Sequence, residues 1–93
     1  MSLINEVVTI ATIMGEIVGR LKENTDSVYT LEHPRMFVQT AEGAGYAPGI
    51  TMTGDQGHDL KEVSFNKSLV LAMTKTNENA KKAWIQSTSG LIL

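Results

Sequence analysis

Residues 6–14, EVVTIATIM, crowd Val7, Val8, Thr9, Ile10, Thr12 and Ile13 into one short segment. Two heavy atoms on Cβ restrict χ1 and favour an extended backbone, so this run specifies a first strand. Gly15 relieves the chain sterically, and the following EIVGRLK sets Ile17, Gly19 and Leu21 on one face against Glu16, Val18, Arg20 and Lys22 on the other. That alternation predicts a half-buried second strand. The ENTD segment at 23–26 collects residues whose side chains hydrogen-bond the local backbone in turns. A chain that begins in this way is committed to antiparallel β structure.

The remaining segments extend the pattern. A third strand is predicted over 27–40, bent at His33-Pro34 because proline lacks the N–H that a central ladder requires. Residues 41–62 carry Gly43, Gly45, Gly49, Gly54, Gly57 and Pro48 with little periodicity, which predicts a long loop, with a possible short strand at ITMT, 50–53. Val63, Phe65, Leu69, Leu71 and Met73 then alternate with Ser64, Asn66, Ser68 and Thr74, and predict a fourth strand crossing the core. Beyond it the period changes. Asn77 suits an N-cap, Glu78 a first-turn acid, and Ala80, Ala83, Trp84 and Ser87 fall at helical spacing before Gly90, predicting a short helix at about 78–88. The apolar Leu91, Ile92 and Leu93 are expected to pair as a short strand within the subunit or with a neighbour.

Composition narrows the function. At 93 residues, 42% hydrophobic and 19% charged, the chain is expected to form one folded domain over 1–93, small enough to benefit from burial against a partner. A formal charge of -2 gives no global basic field, so any polyanion site must be a local patch. With no cysteine there is no thiolate metal site or cysteine nucleophile. Polar Asn5, Glu6, Thr9 and Thr12 interrupt the first apolar stretch, and no basic segment precedes it, so the expectation is a cytoplasmic protein without a membrane partner. His33 lies at the strand bend, and Asp55, His58 and Asp59 lie in GDQGHD, a spacing that fits no metal-site template and reads as a polar glycine loop. No serine sits on a strained elbow, and the loop glycines lack the Gly-Lys-Ser/Thr of a phosphate cradle. Tyr46 reads as an anchor for its loop and Trp84 as a packing residue. We expect neither enzyme chemistry nor a cofactor.

Taken in order, Gly15, Gly19 and Leu21 in GEIVGRL, then Asp26, then Val28 to Leu31, resemble the first motif of the Sm and Sm-like family of small, strongly bent antiparallel barrels, including its phage-encoded type. Thr30 stands where the family's uridine-contacting asparagine falls, and Thr74, Lys75, Thr76 and Asn77 occupy the turn where the family carries Arg-Gly. The resemblance implies a mainly β, Sm-like barrel that assembles into a homo-oligomeric ring by pairing its open edges. It also implies that the turns after the second and fourth strands face a central pore. Those turns hold Lys22, Asn24, Thr25 and Asp26, and Lys75, Asn77 and Asn79, a set of amides and ammonium groups suited to base edges and phosphates, although solvated turns favour Asn and Asp in any case. The expected function is that of a single-stranded RNA or DNA chaperone or processing factor. The alternative is a structural or assembly subunit, such as a phage-type accessory protein, with no nucleic-acid contact.

Overall fold

In the computed structural model, which describes residues 2–89, six strands and one helix follow one another along the chain. They are β1 (Val7–Thr12), β2 (Gly15–Asn24), β3 (Val28–Thr40), β4 (Gly43–Tyr46), β5 (Glu62–Asn66), β6 (Val70–Lys75) and α1 (Glu78–Ser89). All pairings are antiparallel, in the order β4-β3-β2-β1-β6, with β5 pairing the first part of β3. The fold is mainly β, as the sequence predicts, but the sheet is not closed into a barrel: β5 and β6 are not paired to each other among the described residues. The expected pairing of Leu91 to Leu93, and the role of Gly90, lie outside the described residues.

One face of the sheet, here the inner face, buries Val8, Ile10, Ile17, Leu21 and Leu31, with Met36, Phe65, Val70 and Met73 packed against them. The strand alternation of β1 and β2 accounts for this face. On the other face Val7 and Val18 pack under Trp84 of α1, with Tyr46 beside them. Val18 was expected among polar residues of a half-buried strand; it is only 2% exposed, because α1 folds back across β2 and buries that strand on both faces.

The bend has identifiable causes. A Cβ on Gly19 would meet the Leu31 Cβ at 3.0 Å, the Glu32 carbonyl oxygen at 3.1 Å and the Pro34 Cα at 3.3 Å, so only glycine lets β2 approach β3 this closely. Register shifts between Val18 and Arg20 at the same place. Across from it His33 holds a φ of 49°, rare for a side chain with a Cβ. Three contacts fix it there: its N–H donates to the Lys61 carbonyl at 2.7 Å, its Nδ1 lies 3.1 Å from the Leu60 carbonyl, and its own carbonyl accepts from Trp84 Nε1 at 3.0 Å.

Two segments depart from the sequence reading. The predicted loop at 41–62 contains β4 and a single 3-10 turn at Gly57–Asp59, whereas 50–53 forms bends and no strand. A tight turn launches β4: the Thr40 hydroxyl accepts from Glu42 N–H at 3.2 Å and Gly43 takes a φ of 121°. Tyr46 then meets Phe37 edge to face at 5.7 Å. The predicted fourth strand is two strands, because a 3-10 turn at Lys67–Leu69 interrupts it. The Asn66 side chain caps that turn, accepting from the Ser68 N–H at 3.0 Å and the Ser68 hydroxyl at 2.9 Å. The turn changes the phase of the chain, so Val70 and Met73 face the core while Leu69 and Leu71 are 65% and 70% exposed.

Candidate nucleic-acid interface

The β2–β3 turn is built by Thr25. Its hydroxyl accepts from the N–H groups of Ser27 at 3.3 Å and Val28 at 3.1 Å, and its N–H donates to the Val28 carbonyl at 3.0 Å. Thr25 is therefore a turn-forming residue, and it leaves Asn24 and Asp26 exposed on either side of it. At the far end of β6, Asn77 caps α1, its Oδ1 accepting from Ala80 N–H at 2.8 Å. Asn79 lies in the first turn of α1 and, with Asn77, lines a separate cleft bordered by Phe37, Gly45 and Tyr46.

What joins the two predicted regions is a segment to which the sequence reading gave no site role, the residues leading into β1. Asn5, with a φ of 72°, donates its N–H to the Leu21 carbonyl at 2.7 Å, and Glu6 accepts from the Leu21 N–H at 2.9 Å. Lys22 Nζ donates to Asn5 Oδ1 at 3.2 Å, and Lys75 Nζ lies 3.9 Å from Glu6 Oε1. Adjacent residues thus receive the two lysines, which lie not in the predicted turns but in the strands before them, Lys22 in β2 and Lys75 at the end of β6, because the ladder pairing runs on to Asn24 and Lys75. Arg20 joins the same group, donating to the Asn5 carbonyl at 2.8 Å and facing Glu32 at 3.7 Å. These ion pairs are partly exposed, so water screens them and each contributes little to stability.

The seven predicted residues therefore fall into three places. Lys22 and Lys75 reach the adjacent residues Asn5 and Glu6; Asn24 ends β2, with Thr25 and Asp26 in the turn after it; Asn77 and Asn79 stand at the start of α1. Glu6 and Arg20 belong to the first group through their contacts, which nothing in the local sequence signals. Thr30 is inaccessible: its hydroxyl, 4% exposed as a residue, lies between Glu23 Oε1 at 3.1 Å and Ser64 Oγ at 2.8 Å.

The aromatic residues behave as packing and anchoring groups. Tyr46 donates its hydroxyl to the Ala80 carbonyl at 2.9 Å, tying β4 to α1, and burial, with the Glu16 carboxylate adding, pushes that hydroxyl above its ordinary pKa. Trp84 is buried, with the Arg20 guanidinium 5.6 Å above its ring. Asp55, His58 and Asp59 are exposed, and among the described residues no three His, Asp or Glu side chains converge as a metal site would require. No helix among the described residues is long and apolar enough to cross a membrane. In comparison with known proteins, the sequence matches no family model and no curated protein.

Proposed function

We propose that this chain is a cytoplasmic, Sm-like, ring-forming protein that binds single-stranded RNA or DNA as a chaperone or processing factor, without catalysis. The observation that carries the reading is that Lys22 near the end of β2 and Lys75 at the end of β6 contact the adjacent residues Asn5 and Glu6, at one end of the sheet. The strand path adds support. Among the described residues β5 pairs only with β3 and β6 only with β1, so each has an edge without a partner there, and one short 3-10 turn separates these two strands. Exposed strand edges favour pairing with another chain, and head-to-tail pairing that closes on itself makes a ring. In such a ring a weak site on every subunit acts on one strand, so avidity compensates for the net negative charge. Lys22 and Lys75 contact phosphates in this reading, Asn24, Asp26, Asn77 and Asn79 offer hydrogen bonds to base edges, and Thr25 holds the turn.

A second reading has its own observation. Glu6 lies against Lys75 and Glu32 against Arg20, and Glu23 and Asp26 follow Lys22 closely along the chain, so the local charge is not basic, and a structural or assembly subunit would need no basic patch.

One experiment separates them. Fluorescence anisotropy with labelled oligo-U and oligo-A should show binding that weakens as salt rises, through counterion release, and the Lys22→Glu/Lys75→Glu double variant should lose most of it. Both side chains are at least partly exposed, so the variant should keep its stability to within about 0.5 kcal/mol. Light scattering should find a closed homo-oligomer. No wild-type binding at low salt selects the structural subunit, and a monomer at micromolar concentration removes the ring.

A further inference from the structure

The bend at His33-Pro34 turns Arg35 onto the helix face of the sheet, where its Cα lies opposite Val18. There the side chain is buried, 2% exposed, and its guanidinium donates from Nη1 to the Pro34 carbonyl at 2.9 Å and from Nη2 to the Gly57 carbonyl at 2.8 Å. Those are its only hydrogen bonds among the described residues, and no carboxylate there forms an ion pair with it. This is unusual chemistry for an interior. A guanidinium carries five N–H donors and a permanent charge, and buried charges are ordinarily paired with an opposite one. Among the described residues two carbonyl dipoles are its only partners and Nε–H has no acceptor, yet no side-chain nitrogen there is both sealed from solvent and without a hydrogen bond, so Nε–H is not walled in. Desolvation accordingly pulls the Arg35 guanidinium below its ordinary pKa, and among the described residues no neighbouring acid offsets that pull.

Arg35 also forms part of the wall of an open cleft of about 220 Å³, together with Gly57 and His58 from the loop, Tyr46 from β4 and Ser87 from α1. This volume falls below the roughly 300–1,000 Å³ typical of pockets that enclose a whole drug-sized ligand, so it suits one small group. The polar side chains arrive from different elements: Arg35 from β3, His58 from the loop and Ser87 from the helix. The Tyr46 hydroxyl is already committed to Ala80, whereas among the described residues Ser87 donates only to the Trp84 carbonyl within its own helix turn, at 2.9 Å, a bond its hydroxyl exchanges by rotating. Donors approaching from several directions match a tetrahedral oxyanion better than a planar one, and the free edge of a guanidinium fork is the group that binds phosphate oxygens in pairs.

We propose that the Arg35 cleft is a phosphate-binding site, taking a phosphate monoester whose oxygens accept from the free edge of the Arg35 guanidinium, with Ser87 and His58 at the mouth. The site is separate from the Lys22 and Lys75 group and stands or falls without it. The monoester has two possible sources, a small phosphorylated metabolite or the terminal phosphate of a nucleic-acid strand.

The test is a titration of the full chain with inorganic phosphate at constant ionic strength, followed by amide NMR. Saturable shifts of Gly57, His58 and Ser87, absent in Arg35→Met and not reproduced by acetate, are expected. Because Arg35→Met also removes the tie to Gly57 and can compromise folding, Ser87→Asp is the second variant. Its carboxylate sits at the mouth of the cleft, where it should compete for the guanidinium, raise the melting temperature without phosphate, and weaken the phosphate response at least about tenfold. No saturable shift in the wild type, shifts that persist in a folded Arg35→Met or Ser87→Asp protein, or an equal response to acetate would overturn the proposal. Once the site holds, comparing a 5′-phosphorylated oligonucleotide with its 5′-hydroxyl counterpart and with a nucleoside monophosphate identifies the source. A strand end gives tighter binding only for the phosphorylated oligonucleotide, and a metabolite site binds the monophosphate at least as well.

Discussion

On the inner face of the sheet, five aliphatic side chains from three strands, Val8, Ile10, Ile17, Leu21 and Leu31, are buried against one another. On the helix face only Val7, Val18 and Trp84 form such a cluster, and hydrogen bonds hold much of the rest: Trp84 to His33, Tyr46 to Ala80, Thr9 to Thr76, and Arg35 to Gly57. The inner face is stabilised by non-directional burial, which tolerates exchange of one aliphatic shape for another when volume is kept. The helix face depends on particular donors and acceptors, where removing one partner leaves the other buried and unsatisfied. The difference teaches where each kind of work is done: the inner face makes the fold stable, and the helix face fixes where α1 and the 47–61 loop lie relative to the sheet.

The comparison can be broken at several points. The largest effect is expected from Leu21→Ala on the inner face, which opens a cavity among fully buried neighbours and should cost about 2–5 kcal/mol by denaturant unfolding; a loss below about 1 kcal/mol would mean that this face is not the main core. On the helix face, Trp84→Phe keeps an aromatic ring but removes the donor to the His33 carbonyl. It should cost about 1–3 kcal/mol, with amide exchange rising along α1 more than along β1 and β2. An equal rise on both would show that the helix does not respond separately from the sheet. The smallest effect is expected from Asn77→Ala, which deletes the helix cap and should cost about 1 kcal/mol, measured in the same unfolding assay. A null result there would mean that packing of Trp84 alone holds the start of α1.

Much of the strand pattern was legible because β1 is crowded with β-branched residues and β2 places Ile17, Gly19 and Leu21 at a period of two, and the helix because Ala80, Ala83, Trp84 and Ser87 fall at helical spacing. What the sequence concealed has physical reasons. Val18 gave no sign of burial, since alternation reports one face at a time and a strand covered on both faces breaks it. GAGY lacks the side chains that mark a strand, so β4 is defined by its backbone pairing to β3 and the Tyr46–Phe37 contact. The 3-10 turn at Lys67–Leu69 was masked because Leu69 and Leu71 kept an apparent alternation while the chain changed phase beneath them. For the site, the seven residues were expected from the turns that the resemblance points to, but the segment that two of them contact, Asn5 and Glu6, lies far from Lys75 in sequence. The Arg35 cleft was hidden for the same kind of reason, since an arginine after a proline carries no signal that it will be buried without an acid.

The pairing of β1 with β6 also bears on how the chain is made. Thr9 and Thr76, which meet across that pairing, are 67 residues apart, whereas β1–β2 and β2–β3 are joined by short turns. During synthesis the hairpins can form as soon as they leave the ribosome, but the outer edge of β1, with its β-branched VVTIAT, stays without a partner until nearly the whole domain has emerged. The nascent chain therefore spends much of its synthesis time displaying its most aggregation-prone strand, and a quickly delivered β6 is as much a safeguard for the newborn protein as a part of the finished one.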